Sequence, residues 1–237
     1  MLASAAGMVL ILWLIAIPLS WAPEPIGGNA QLFAEGTRVT VLLTLVSGAA
    51  GLLLGLFAAL GRLSGVAALR WAAGAYLWII RGTPLIVQVL FVFFALPSLV
   101  PALQLSDFAS ACVALSLNVG AYNAEAIRAG LMAVPRGQTL AAQSLGMNRR
   151  HAFAGVVLPQ ATRIALPPLV NNVVALLKDS SLAYAIGVVE LTNVGNRIQA
   201  ATFQPLATLT TTAVIYLALT TVTTRFSDAL ERRYALA

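Results

Sequence analysis

Long apolar runs interrupted by short polar and basic ones set the pattern of the chain. Residues 1–23 carry no charged side chain, and Met1 to Trp21 is long enough to cross a hydrocarbon layer of ~30 Å at ~1.5 Å per residue. A cleaved signal peptide is the rival to a retained first helix. The stretch lacks a basic start and a clean small-x-small cleavage site, which favours the retained helix. Trp21-Ala-Pro-Glu-Pro then breaks the run. Val39–Leu60 predicts a second span, with Gly51 and Gly55 in a small-xxx-small pattern that permits close helix contact. Residues 66–80 hold Trp71, Tyr76 and Trp78 beside Arg70, which suits a helix lying along the interface. Leu85–Val100 predicts a third span, Phe108 to about Leu131 a fourth, a stretch from near Arg163 through Pro167 and Pro168 to Lys178 a fifth, and Pro205–Thr224 a sixth.

Between the fourth and fifth spans lies a polar, basic insert, Gly137–Pro159. Its punctuation predicts two short helices: Thr139–Leu145, stopped by Gly146, then a second capped by Asn148 and closed by Pro159. The product is a helix-turn-helix knob on one membrane face.

Composition fits this picture: of 237 residues 59% are hydrophobic and 9% charged, against about 25% charged in an average soluble domain. The formal charge of +6 does not point to nucleic acid, because the basic residues sit between apolar spans and form no long run. Eleven of the fourteen Lys/Arg fall on the side of the knob, leaving Arg38, Lys178 and Arg197 outside or within the membrane. By the positive-inside rule the knob and both termini are cytoplasmic. The expected fold class is an all-α polytopic membrane protein. So few helices enclose a polar path poorly alone, so a path formed between two such chains is expected.

Several chemistries find no residues. The only lysine, Lys178, follows Leu-Leu and precedes Asp, so there is no P-loop and ATP must be hydrolysed elsewhere. His151 has no Cys or carboxylate at ligand spacing, which argues against a metal site and against Ser/His/Asp hydrolysis. Cys112 is alone and cannot form an intrachain disulfide.

The insert resembles the signature loop of bacterial ABC-importer permeases, E-A-A-x3-G-x9-I-x-L-P. Here it reads Leu140-Ala141-Ala142-x3-Gly146-x9-Val156-x-Leu158-Pro159, departing at Val156 for Ile and at Leu140 for Glu. Three more stretches resemble the polar amino acid branch of that family: Arg81-Gly82-Thr83-Pro84-Leu85, Tyr122-Asn123-Ala-Glu125-Ala-Ile-Arg128-Ala-Gly130 and Leu177-Lys178-Asp179-Ser180-Ser181-Leu182. The second carries an extra residue before Gly130, and in the third Ser180 replaces Thr.

The resemblance implies a type I importer transmembrane domain, with a five-helix core plus one N-terminal helix. It divides the chain into residues 1–32, a transmembrane helix and periplasmic loop, and residues 33–237, the permease domain with its coupling loop at 137–159. It implies a subunit that imports polar amino acids across a bacterial inner membrane. Its partners would be ABC ATPase subunits that bind ATP and Mg, a second permease subunit (a copy or a paralogue) and a periplasmic or lipid-anchored substrate-binding protein. No cofactor is expected in this chain.

Leu140, Ala141, Ala142, Gly146, Leu158 and Pro159 are the expected coupling residues. Candidates for the substrate path are Tyr122, Asn123, Glu125, Asn171, Asn172, Lys178, Asp179, Ser180 and Ser181. Lys178 falls ~22 Å from Arg163 along a helix, a depth where charge is costly unless paired or facing water. Glu125 with Arg128 is more often a structural i,i+3 ion pair than a substrate site. Arg81–Pro84 is either a turn whose arginine snorkels to phosphate or a gate. Rival substrates are ectoine-like or opine zwitterions. A rival class is an ATP-independent channel or secondary carrier, which would leave residues 137–159 without a job.

Overall fold

The computed structural model describes residues 11–234, with side chains through 229. Among the described residues there is no strand. The first-helix expectation lies partly outside them. What is described is a short apolar helix ending in α1 (Ala16–Ser20). The Arg38 guanidinium secures it, donating to the Leu12 carbonyl at 3.1 Å and lying 5.8 Å from the Trp13 ring, so this cation outside the basic face has an acceptor and an aromatic neighbour.

Helix α2 runs from Ala30 to Leu63 and α3 from Ala67 to Gly82. Arg70 fixes the turn between them, donating to the Ser64 and Gly65 carbonyls at 2.8 Å each. Next come α4 (Leu85–Leu90), a π-helical turn (Phe91–Ala95) and α5 (Leu96–Leu99), in one continuous direction. α6 spans Asp107–Ala133. The knob follows as α7 (Arg136–Ser144) and α8 (Arg149–Ala152), then a π-turn (Phe153–Val157) leads into α9 (Leu158–Asp179). A 3-10 stretch (Ser180–Ile186), α10 (Leu191–Thr202) and α11 (Pro205–Tyr234) complete the chain.

α6 is the central helix, packed along α2 on one side and α9 on the other. Gly51 faces Ser116–Gly120 and Gly55 faces Gly120–Ala124, so α2 and α6 run parallel. A Cβ on Gly55 would sit 2.6 Å from the Asn123 Cβ and 2.9 Å from the Gly120 carbonyl oxygen; only glycine allows this backbone-to-backbone approach. α9 runs the other way, with Gly130 beside Ala161 and Ala165 while Asn123 meets Asn172.

Two sequence expectations need correction. Among the described residues three helices are long and apolar enough to cross a bilayer: Gly27–Leu63, Arg149–Ile186 and Pro205–Ala229. The expected third span is too short alone, since fifteen helical residues reach only ~22 Å. It becomes a fourth span only together with α3, from which it is bent by 110°. α6, the expected fourth span, has the length (27 residues) but is diluted by Ser110, Ser116, Asn118, Asn123 and Glu125. A helix surrounded by protein can carry polar groups that lipid would penalise. The second correction is Pro159, which does not close the knob. It lies in the first turn of α9, where its missing N–H is tolerated, and the helix runs on from Arg149 to Ile186.

Candidate functional site

The knob is held by local chemistry. After α7 the Met147 N–H donates to the Ala142 carbonyl (3.1 Å) and the Gly146 N–H to the Gln143 carbonyl (2.9 Å), with Gly146 at φ 84°. This is the paired 6→1 and 5→2 closure of a Schellman motif, which needs a left-handed residue. Asn148 then caps α8, its Oδ1 accepting from the His151 N–H at 2.9 Å. Leu140 (63% exposed) and Leu145 (85%) point outward. Ala142 does not: it is 4% exposed, on the buried face of α7.

A polar cavity of about 430 Å³ opens between α4, α6 and α9, lined in part by Thr83, Asn118, Tyr122, Asn172 and Asp179. Four of the expected path residues come near one another here: Tyr122, Asn172 and Asp179 line it, and Asn123 accepts from the Asn172 amide at 2.9 Å behind the wall. Lys178 is turned away, about 100° around the helix from Asp179. With Ser181 it lines a separate groove against Thr192, Thr212 and Tyr216. Asn171 is exposed outside the cavity, and Ser180 is fully buried, donating to the Leu177 carbonyl at 2.8 Å.

A second cavity, about 470 Å³, lies toward the knob end between α3 and the last turns of α2 and α6. Arg62, Arg81, Glu125 and Arg128 line it. Glu125 is shared: Arg128 donates to it through Nε at 3.2 Å and again through Nη2, and the Arg81 Nη1 lies 4.0 Å away. Arg81 also lies 5.6 Å over the Tyr122 ring.

The turn carrying Arg81–Pro84 is positioned by a residue the sequence reading passed over. The Gln88 amide donates to the Ile80 carbonyl (2.7 Å), the Thr83 carbonyl (3.1 Å) and the Thr83 hydroxyl (3.0 Å), while its oxygen accepts from the Asn118 amide at 3.1 Å. A lone glutamine in the apolar run LIVQVLFVFF was the available signal. Glu190 was also missed. Fully buried, it caps α10 by accepting from the Thr192 and Asn193 N–H groups (2.9 and 2.8 Å) and accepts from the Tyr216 hydroxyl at 2.9 Å.

A bundle with a parallel glycine-packed helix pair, a polar cavity beside it and an exposed basic knob defines a membrane transport component, and the chain belongs to the family of binding-protein-dependent transport system inner membrane components, whose pattern matches residues 51–236. Among curated relatives, the L-cystine transport system permease protein TcyB of Bacillus subtilis is 44% identical over 160 residues, 68% of each chain. The glutamine transport system permease protein GlnP of Escherichia coli is 38% identical over 85% of this chain and 92% of its own. The arginine transport system permease protein ArtQ of B. subtilis is 36% identical over 84% and 90%. A crystal structure of an amino acid ABC transporter with histidines superposes with a TM-score of 0.82 at 36% identity, covering 87% of this chain and 95% of that one. The MetNI methionine ABC transporter shares the fold, with a TM-score of 0.72 at 20% identity.

Proposed function

We propose that this chain is the membrane-spanning permease of an ATP-driven importer of polar amino acids in a bacterial inner membrane, with both termini cytoplasmic. The observation that carries the reading is its identity, over most of the chain, to permeases named for glutamine, cystine and arginine. It works with a second permease subunit, a copy or a paralogue, with ATPase subunits that bind ATP and Mg, and with a substrate-binding protein. The exposed leucines of the knob dock on the ATPase. Leu140 stands where an acidic residue is usual, so apolar packing carries this contact.

A zwitterion crossing hydrocarbon needs partners of both signs. In this reading Asp179 offers the negative group from the cavity wall, with Asn118 and Asn172 as hydrogen-bonding partners. Arg81, lying over Tyr122 at the inner edge, is the gate and the positive group. Lys178 and Ser181 take part from the far side of α9, where the second permease completes the path.

The test is uptake into proteoliposomes holding the chain, its ATPase and the binding protein. Glutamine, cystine or arginine accumulates only with ATP inside the ATPase-bearing compartment. Accumulation of ectoine-like or opine zwitterions alone would move the substrate class. Flux without ATPase would replace the importer reading with a channel or carrier.

A further inference from the structure

The second cavity shares Arg81 with the transport reading above, and its other two arginines, Arg62 and Arg128, point to a further ligand. We propose that it is a binding site for the phosphate headgroup of an anionic phospholipid, held by Arg62, Arg81 and Arg128 against the inner surface of α3.

Three guanidinium groups and one carboxylate line the opening, so the cluster carries two positive charges in excess even with Glu125 counted. Arginine suits this role because its planar fork donates two parallel hydrogen bonds to phosphate oxygens and keeps its charge when partly desolvated; Arg128 spends its Nε and Nη2 on Glu125 and contributes charge, leaving the forks to Arg62 and Arg81. Arg62 lies across α3 at Gly74: a Cβ there would sit 2.9 Å from its Nη1, so the absence of a side chain lets the guanidinium reach the cavity. Arg81 enters from the end of α3 and Arg128 from α6, both partly exposed at 43% and 26% of their side chains.

The surroundings select a lipid over a soluble anion. Trp78 is itself a lining residue, and Trp71, seven residues earlier on the same face of α3, continues a stripe outward. Both are more than three-quarters exposed, at 79% and 77%. Other side chains of α3 pack inward: Leu77 is buried against Ala59 and Ala124, and the Tyr76 hydroxyl donates to the Leu117 carbonyl at 2.6 Å. A helix with exposed indoles on one face, bent by 110° from the segment after it, suits the headgroup level, and we place α3 there with its aromatics toward the acyl chains. Basic pockets between helices at that level recognise anionic headgroups. The chain thus offers both halves of a lipid site, cations for the phosphate and indoles for the glycerol and upper chain.

The test uses the full chain in nanodiscs, with Trp13, Trp21 and Trp71 replaced by phenylalanine so that Trp78 reports alone. Brominated phosphatidylglycerol is expected to quench Trp78 more strongly than brominated phosphatidylcholine at equal mole fraction. Arg62→Gln should lower that preference about fivefold, the change corresponding to ~1 kcal/mol for one basic residue near the surface, while Arg62→Lys keeps part of it. Arg128→Gln serves as the independent variant. Equal quenching by both lipids in the parent chain overturns the proposal, as does a preference unchanged in both glutamine variants. Loss of the preference in millimolar inorganic phosphate would make the ligand a soluble anion and overturn the lipid assignment.

Discussion

Arg81 and Tyr122 stand in a cation–π contact, 5.6 Å from guanidinium carbon to ring centre, at the place where the polar cavity and the arginine-lined cavity adjoin. Tyr122 belongs to the first cavity and Arg81 to the second, so the pair is the wall between them. A cation–π contact in a partly desolvated site contributes ~1 kcal/mol or more. Tyr122→Ala removes the ring and frees the arginine. The expected outcome is ATP hydrolysis loosened from transport, with uptake per ATP falling about fivefold while the complex still assembles; Tyr122→Phe keeps the ring and stays near the parent value. Parallel uptake and phosphate-release measurements in proteoliposomes check this.

Gln88 predicts a stability effect far larger than its single position suggests. Gln88→Leu fits the volume but strips partners from the Ile80 and Thr83 carbonyls and from the Asn118 amide. Asn118 is buried, and a buried polar group left unpaired costs about 1–3 kcal/mol; the carbonyls of half-buried Ile80 and exposed Thr83 add less. Thermal unfolding in detergent should therefore show a clear drop in midpoint for Gln88→Leu. Asn118→Ala, which leaves the turn's carbonyls bonded, should cost less.

Glu190 joins α10, α2 and α11 through one carboxylate. Glu190→Ala loses an N-cap, about 0.5–2 kcal/mol, and also leaves the Tyr216 hydroxyl without its acceptor. Glu190→Gln keeps an acceptor oxygen and should fall between Ala and the parent. Hydrogen exchange across residues 191–202 is the measurement, with protection lost in the order Ala before Gln. Equal protection in all three would show that the cap is not what orders α10.

In the knob, two substitutions separate folding from docking. Gly146→Val strains a left-handed residue by ~1 kcal/mol or more, and Ala142→Asp places a carboxylate at a buried position. Both should raise exchange or proteolysis of residues 136–152 without any ATPase present. Leu145→Ala leaves the knob intact and should lower only ATPase co-purification. If Leu145→Ala retains full stoichiometry, docking does not use that leucine.

The parts of this molecule that could be read from the sequence are those whose causes are local. Gly146 and Asn148 stop and restart a helix through bonds that span three to five residues, and Gly51 and Gly55 announce a close contact by spacing alone. Pro159 misled for the same reason: a proline reads as a stop, whereas the π-turn before it puts it in a first turn where it is harmless. The candidate site was legible only in part. Asp179 and Lys178 are neighbours in sequence, yet the helix sends one to the cavity and the other to a different groove. Gln88 and Glu190 have local partners too, but what ties them to other helices is distant in sequence, Asn118 to Gln88 over 30 residues and Glu190 to Thr40 over 150, and spacing cannot show that.

The unbroken helix from Arg149 to Ile186 begins inside the knob and carries Asp179 near its other end. It joins the two sites, since its first residues belong to the knob and Asp179 lines the polar cavity. Thirty residues of rise make its arm ~45 Å, so a tilt of about 10° at the knob sweeps Asp179 through roughly 8 Å, enough to carry the carboxylate across the polar cavity. Pro167 and Pro168 interrupt the helix's hydrogen bonding partway along, at the place where a stroke at the knob can become a bend instead of a shove.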